Sequence, residues 1–304
     1  MPDWSVVDGL PLVSIERCSV CGGTDLAPLS LGDHPLQRCR SCRAVVSARI
    51  GDPAAVYDDS YHTGESGMFI DTDLPGFRDY LQRVNRERVA LLGPVSRPPG
   101  RLLDIGCGRG DLLVAAREAG WQVLGVEMVA AAAAVARERH GLDVRTGTLV
   151  DAGIPPGSLD VVTGTHLLEH MVDTVEFLGQ VRALLRPGGR VFVEVPNWRH
   201  PLRVRERGEW RHLHPYEHVT HFTAPTLRAA LRRGGFRVEL LRSPTWIGTP
   251  QTIDRALFDL GLAPWTRLVH RLPRGQWRLA RAAQALMDRT RTGVVLVAVG
   301  RAVA

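Results

Sequence analysis

The segment Leu102-Leu103-Asp104-Ile105-Gly106-Cys107-Gly108-Arg109-Gly110 carries the main clue to the architecture of this chain. A short apolar run ends at the acidic Asp104, three alternating glycines follow, and a helical pattern begins behind them. A glycine-rich turn between a strand and a helix lets a ligand approach the backbone, and the helix N-terminus favours an anionic group. The segment therefore predicts a ligand site at the carboxyl end of a strand.

Three features restrict the class of ligand that this site could bind. Position 111 is Asp, where the dinucleotide-binding fingerprint requires its third glycine. Asp104 ends the predicted strand, and its carboxylate would repel a pyrophosphate but attract an ammonium group. Glu127, at the end of the second predicted strand, is placed for a ribose diol. A ligand with a ribose, a cation and no phosphate is S-adenosylmethionine.

Short apolar runs alternate with helical patterns along the rest of the chain. This alternation predicts a parallel sheet covered by helices on both faces. The predicted strands cover 101–105, 122–126, 143–146, 159–164, 190–195, 236–241 and 293–300. The predicted helices cover 77–92, 111–119, 130–140, 172–185 and 225–233.

The chain resembles the class I S-adenosylmethionine-dependent methyltransferases in five stretches: LLDIGCGRGD, VLGVE, PPGSLDVVTGTHLLEHM, LLRPGGRVFVEVPN and GVVLVAVGR. These stretches span roughly residues 100–242 and the C-terminal strand. The resemblance implies an α/β, Rossmann-like sheet of seven strands whose last strand is antiparallel. It also implies a set of cofactor-binding residues.

By the same resemblance, Asp104 and the three glycines line the methionine end of S-adenosylmethionine, and Glu127 holds the ribose. The resemblance places Met128 beside the adenine and the loop 148–151 on its edge. Thr165 and His166 are expected near the sulfonium, and Tyr61 is expected to fold over the cofactor. The expected cofactor-binding residues are Asp104, Gly106, Gly108, Gly110, Glu127, Met128, Leu149, Thr165, His166 and Tyr61.

Two Cys-x-x-Cys pairs near the N-terminus predict a metal site, formed by Cys18 with Cys21 and by Cys39 with Cys42. Four thiolates close a tetrahedron and leave no open position, so the expected zinc is structural and not catalytic. A segment of this size is too short for a good apolar core, and metal ligation supplies stability instead. The alternative is that the four cysteines are unrelated.

The densest histidine cluster follows the fifth predicted strand, where an open α/β sheet places its ligand crevice. A neutral imidazole is available as a base near pH 7, and methylation of a hydroxyl or activated carbon needs one. We expect His218 to be this base, Glu217 to orient it, and His214 and His221 to assist. The simpler interpretation of each histidine is a surface or packing role.

The segment around His166-Leu-Leu-Glu169-His170 also matches the inverted zinc-protease pattern. That pattern needs a helix, whereas this stretch lies where the fourth predicted strand meets a loop. Some related O-methyltransferases place two acids and a histidine at these positions and bind a divalent ion. Here His166 replaces the first acid, so the expected role of Glu169 and His170 is to start the next helix.

A cysteine-rich N-terminal segment joined to this domain resembles the sugar C-methyltransferases of natural-product pathways. Those enzymes carry a Glu-His pair and then an aromatic residue with Ser or Thr, which Glu217-His218 and Phe222-Thr223 match. The 304 residues are fewer than those enzymes have, and shorter relatives with this loop are often O-methyltransferases. The expected acceptor is a sugar, glycan or secondary metabolite, methylated on a hydroxyl or adjacent carbon.

Composition leaves two other functions open. The chain has 304 residues, and all 38 of its basic residues are arginines, against 32 acidic ones. This suggests an RNA methyltransferase as an alternative, although the arginines alternate with acids over most of the length, whereas a nucleic-acid binder concentrates them on one face. A non-catalytic cofactor-binding module is the second alternative. No secretory signal or long apolar run is found, so a cytoplasmic location is expected.

The predicted organisation has five parts. They are a zinc-ribbon-like segment (1–48), a connecting segment and helix (49–98), the S-adenosylmethionine-binding domain (99–245), a helical cap (246–292) and the final strand (293–304). The cap carries apolar residues set among arginines. It is expected to pack on the sheet, with a substrate lid or a peripheral membrane contact as alternatives.

Overall fold

The computed structural model describes residues 11–32, 34–52, 56, 77–93, 95–210, 212–214, 216–245 and 275–303. The strands are β1 (Leu12–Ser14), β2 (Leu26–Leu31), β3 (His34–Cys39), β4 (Val45–Ser47), β5 (Arg49–Gly51), β6 (Arg101–Ile105), β7 (Gln122–Glu127), β8 (Val144–Thr146), β9 (Leu159–Thr165), β10 (Leu185–Pro196), β11 (Thr220–His221), β12 (Phe236–Arg242) and β13 (Val295–Ala302). The helices are α1 (Phe77–Ala90), α2 (Asp111–Glu118), α3 (Ala130–His140), α4 (Thr174–Leu184), α5 (Pro201–Glu206), α6 (Ala224–Arg233) and α7 (Gly275–Thr290).

Seven strands form the main sheet in the order β12-β13-β10-β9-β6-β7-β8. Neighbouring strands from β10 to β8 pair in parallel, whereas β13 lies antiparallel between β10 and β12. The predicted Rossmann-like sheet with an antiparallel last strand is therefore confirmed. The sheet order brings the carboxyl ends of β6, β7, β9 and β10 to one edge, which is where such sheets bind ligands.

Apolar side chains cover both faces of the main sheet. On one face, Leu178 of α4 and Leu227 of α6 pack with the buried side chains of β9 and β10. On the other face, Val84 of α1, Leu113 of α2 and Ala133 of α3 pack against the sheet. Burial on both faces explains why these strands are continuous apolar runs in the sequence.

The main differences from the predicted elements lie at the ends of β10 and β13. The predicted strand 190–195 begins at Leu185 instead, because Leu185 pairs with Leu159 before a shift in register. The predicted strand 293–300 starts two residues later, at Val295. Gly293 lies in the bend before this strand, and its carbonyl oxygen accepts a hydrogen bond of 2.8 Å from the Asn197 side chain.

A second, smaller sheet has the order β11-β4-β3-β2. Three of its strands come from the cysteine-bearing N-terminal segment, and β11 comes from the histidine-rich loop that follows β10. This pairing, which joins residues about 175 positions apart, was not predicted. The small sheet therefore brings the cysteine-bearing segment to the histidines.

The expected helical cap is described only in part, since residues 246–274 lie outside the described residues. Residues 275–290 form α7, whose Met287 is buried. The Asp288 carboxylate accepts a hydrogen bond of 2.7 Å from the Ser243 amide, which ties α7 to the end of β12. The predicted domain boundaries stay predictions.

Candidate active site

The glycine loop after β6 has a backbone that only glycine adopts at low cost. Gly106, Gly108 and Gly110 have φ angles of +67°, +53° and +85°. A Cβ added at Gly108 would meet nothing within 4 Å, whereas one at Gly110 would lie 2.4 Å from the Leu142 side chain. Gly108 therefore faces open space, and Gly110 is needed for close packing against Leu142 and Ala136.

Asp104 lies at the carboxyl end of β6 and is only 1% exposed. Thr163 on the neighbouring strand donates a hydrogen bond of 2.7 Å to its carboxyl group. Burial raises the pKa of Asp104 to about 7, although the Thr163 bond and the charge of Arg88 oppose that rise. A cation would replace the missing solvation, so the site fits an ammonium group.

Glu127 ends β7 and supports the glycine loop. One carboxylate oxygen accepts a hydrogen bond of 2.8 Å from the Gly108 amide, and the other accepts one of 2.9 Å from Val129. The neighbouring Met128 leaves 49% of its surface exposed, although it is a large apolar residue beside this loop. A flat apolar ring could cover this side chain, and the adenine position beside it stays a prediction. Leu149 is half-buried and packs against the apolar core.

The end of β9 carries Thr165 and His166, with His166 in the left-handed region at a φ of +52°. Its ring lies between two carboxylates: Nδ1 is 3.4 Å from Glu169 Oε1, and Nε2 is 3.4 Å from Glu194 Oε1. Burial opposes protonation, but the two carboxylates outweigh it and raise the pKa of His166 to about 9. His166 is therefore a cation near pH 7.

Glu194 on β10 is fully buried and is held by two cations. Arg88 of α1 makes a paired contact with both carboxylate oxygens, and His166 approaches from the other side. Burial alone would raise the pKa of Glu194, but these charges lower it to about 2. This network ties α1 to the sheet, and the charge of Arg88 also acts on Asp104.

The histidine loop places His218 in a buried position with a defined tautomer. Its Nδ1 lies 3.2 Å from the His212 carbonyl oxygen. A carbonyl only accepts, so Nδ1 carries the proton and Nε2 keeps a lone pair. Nε2 lies 4.0 Å from Glu169 Oε1. Burial, followed by the neighbouring histidines, lowers the pKa of His218 well below its usual value, so the ring is neutral.

Two further histidine rings pack against His218. The His170 and His214 rings lie 4.7 Å and 4.8 Å from it, centroid to centroid. His221 is more distant, with its ring 6.3 Å from that of His218. Glu217 acts here through its main chain, which hydrogen-bonds the His170 ring. The structure therefore brings the four predicted catalytic residues into one region.

Glu169 is the acidic residue that the structure places beside His218. Its carboxylate is 1% exposed, and neither oxygen receives a hydrogen bond of good geometry from the described residues. Glu169, His170 and His218 place ligand-type atoms within 4.8 Å of one another. The predicted role of Glu169 was to start a helix, and the structure adds a buried carboxyl group beside a neutral imidazole.

The four N-terminal cysteines converge on one point. The sulfurs of Cys18 and Cys42 lie 3.5 Å apart, as do those of Cys21 and Cys39. All four lie within 4.8 Å of one another. A disulfide requires a distance of about 2.05 Å, whereas tetrahedral zinc with bonds of about 2.3 Å sets sulfurs about 3.8 Å apart. The arrangement therefore fits a four-coordinate metal.

The sequence analysis did not indicate Thr163, Arg88 and Glu194 as contributors to the site. The His-Leu-Leu-Glu-His pattern marked Glu169 in two ways, by its likeness to a metalloprotease motif and by the O-methyltransferases that bind a divalent ion at these positions. Tyr61, the expected cover of the cofactor, lies outside the described residues.

Comparisons with known proteins identify the class. The sequence model of the family described as "Methyltransferase domain" matches residues 77–241, more than half of the chain. The chain belongs to this family of methyltransferase domains. Its fold is also found in the solved complex that contains the Haloferax volcanii Trm112 methyltransferase activator, with a TM-score of 0.54 and 20% identity, covering 81% of this chain and 97% of that one.

Curated relatives agree with the family. A protein of Mycolicibacterium smegmatis named "Probable S-adenosylmethionine-dependent methyltransferase" is 31% identical over 172 residues, covering 55% of this chain and 63% of that protein. A "Ubiquinone biosynthesis O-methyltransferase" of Pseudomonas aeruginosa is 38% identical over 126 residues, covering 38% of this chain and 50% of that protein. The chain thus spans between half and two thirds of the length of these relatives.

Within the described residues, we find no helix with the length and apolarity that crossing a membrane requires.

Proposed function

We propose that this chain transfers the methyl group of S-adenosylmethionine to a small-molecule acceptor. The observation that carries the proposal is the buried Asp104 carboxylate at the end of β6, next to a glycine loop braced by Glu127. Asp104 would hold the ammonium of the methionine part. Glu127 would meet the ribose, and Met128 with Leu149 would flank the adenine.

His218 is proposed as the general base. When bound, the cofactor supplies an electrophilic methyl group on a positively charged sulfur, which leaves as a neutral thioether. His218 Nε2 accepts the proton of the acceptor hydroxyl or carbon as the new bond to the methyl carbon forms. Glu169, 4.0 Å from Nε2, then stabilises the imidazolium. Glu217, His214 and His221 would position this base and line the acceptor side.

The acceptor is proposed to be a sugar, a glycan or a secondary metabolite, methylated on a hydroxyl or the adjacent carbon. Relatives named for ubiquinone biosynthesis support a small-molecule hydroxyl. The neutral rings of His218 and His221 also suit a neutral acceptor better than a polyanion, because burial disfavours the protonated rings that a polyanion would need.

A structural zinc ion is proposed at Cys18, Cys21, Cys39 and Cys42. Gly23 supports this assignment, since a Cβ added there would lie 3.3 Å from Cys21 Sγ and 3.7 Å from Cys39 Sγ. The absence of a side chain keeps the space around these sulfurs clear.

The test is mass spectrometry of an acceptor panel incubated with the chain and isotopically labelled S-adenosylmethionine. We expect label in a small-molecule product. Label in RNA, together with RNA affinity that falls steeply with salt, would support the RNA methyltransferase instead. Cofactor binding without product over a broad panel would support the non-catalytic module.

A further inference from the structure

The histidine segment is held by the cysteine-bearing segment. Strand β11, which contains Thr220 and His221, pairs with β4 in the small sheet. The Ser47 amide donates to the Val219 carbonyl at 3.0 Å, and the Gly51 amide donates to the Tyr216 carbonyl at 2.8 Å. The main chain on both sides of His218 is therefore bonded to residues 47–51.

Ser47 makes the most specific of these contacts. Its side chain is fully buried, and its hydroxyl donates to the His218 carbonyl at 2.7 Å. The same oxygen lies 3.3 Å from His221 Nε2. Because the single hydroxyl proton is used at His218, the ring nitrogen of His221 must donate to Ser47. One buried serine thus positions one histidine and selects the tautomer of the other.

Each cysteine pair lies close in sequence to a serine that hydrogen-bonds the histidine segment. Cys39 ends β3 and Cys42 lies in the turn before β4, which carries Ser47 at its end. Ser19, between the first two cysteines, hydrogen-bonds the Thr220 hydroxyl. A metal that holds the two pairs together therefore also fixes the two serines relative to β11.

From this connection we infer that Ser47 is a positioning residue for His218 and His221. We also infer that metal bound by the four cysteines holds Ser47 in place relative to β11. The inference rests on the proposed function, since it gives the structural metal a part in aligning the base. It also accounts for a serine at a fully buried site, where a hydroxyl without partners costs free energy.

The first test compares Ser47→Ala with the exposed control Ser14→Ala in the full chain. We expect Ser47→Ala to lower kcat about tenfold and to leave the affinity for S-adenosylmethionine within twofold. In ¹H–¹⁵N imidazole spectra the His221 nitrogens should shift toward a mixture of tautomers. Ser14→Ala should match the parent in both measurements. Unchanged His221 and His218 resonances in Ser47→Ala would overturn the role of Ser47.

The second test removes the metal with a chelator and follows amide hydrogen exchange. We expect exchange at residues 219–221 to accelerate at least tenfold and to recover when zinc is added back. Exchange at β6 and β7 should stay unchanged. Unaltered protection at 219–221, or a parent protein without metal, would contradict the role of the metal. A parent that does not bind S-adenosylmethionine would contradict the proposed function, while the spectra and exchange rates still decide this inference.

Discussion

The cofactor side and the acceptor side of the site are built in different ways. On the cofactor side, Asp104, the glycine loop and Glu127 lie within 24 residues and are positioned by two adjacent parallel strands. On the acceptor side, His218 depends on Glu169, Ser47 and His212, which come from three separate parts of the chain. The first region is a local motif, and the second exists only after the small sheet has joined the main fold.

This difference predicts that changes on the two sides have separable effects. Changes on the cofactor side should alter the affinity for S-adenosylmethionine. Changes on the acceptor side should alter turnover and leave that affinity intact.

The largest effect is expected for His218→Ala. Loss of a positioned base lowers kcat by about 10²–10⁴-fold, and cofactor affinity should stay within twofold. His140→Ala, at the end of α3, is the matched control. Steady-state kinetics and calorimetry measure both quantities. Full turnover in His218→Ala would place the base elsewhere. If the activity of the parent protein required an added divalent ion, His218 would instead be a metal ligand together with Glu169 and His170.

Asp104→Asn should reduce the affinity for S-adenosylmethionine by about 100-fold or more, because it removes a buried charge partner. The control variant Asp143→Asn makes the same change in net charge at an exposed position, and it should bind S-adenosylmethionine as the parent does. Calorimetry measures both dissociation constants. Equal affinity in parent and Asp104→Asn would break the assignment of the ammonium contact.

Cys39→Ser should abolish zinc binding and lower Tm by at least about 5 °C, since metal ligation contributes to folding of this segment. Ser41→Ala, between the second pair of cysteines, should retain the metal. Metal analysis and thermal unfolding measure the two outcomes. Zinc at one equivalent in Cys39→Ser would contradict the four-cysteine site.

The smallest effects are expected within the glycine loop, where two substitutions differ. Gly108→Ala should weaken cofactor binding a few-fold and lower Tm only by the cost of placing alanine in a left-handed backbone, because its Cβ would otherwise enter open space. Gly110→Ala should lower Tm further, because it has the same backbone cost and its Cβ would also lie 2.4 Å from the Leu142 side chain. Calorimetry and thermal unfolding of the two variants measure this. The reverse pattern would mean that the ligand does not lie over Gly108.

The same contrast explains what could be predicted from the sequence. The main sheet can be predicted from apolar runs that alternate with helical patterns. The position of Asp104 and Gly108 at the carboxyl end of a strand can be predicted from their spacing. Strand β11 has only two residues, which is too short for a recognisable pattern. The contacts of Ser47 with His218 and His221 span more than 170 residues, so no local spacing reveals them.

The central claim is that the Asp104 carboxylate holds the ammonium group of S-adenosylmethionine. Burial raises the pKa of Asp104 to about 7, so below that pH the carboxyl group of the free protein carries a proton. A bound ammonium favours the carboxylate, so binding near pH 6 should release this proton and affinity should fall as the pH decreases. Calorimetry in buffers of different ionisation enthalpy measures the release. The account predicts up to one proton released by the parent at pH 6 and none by Asp104→Asn, whereas equal release by both proteins would contradict it.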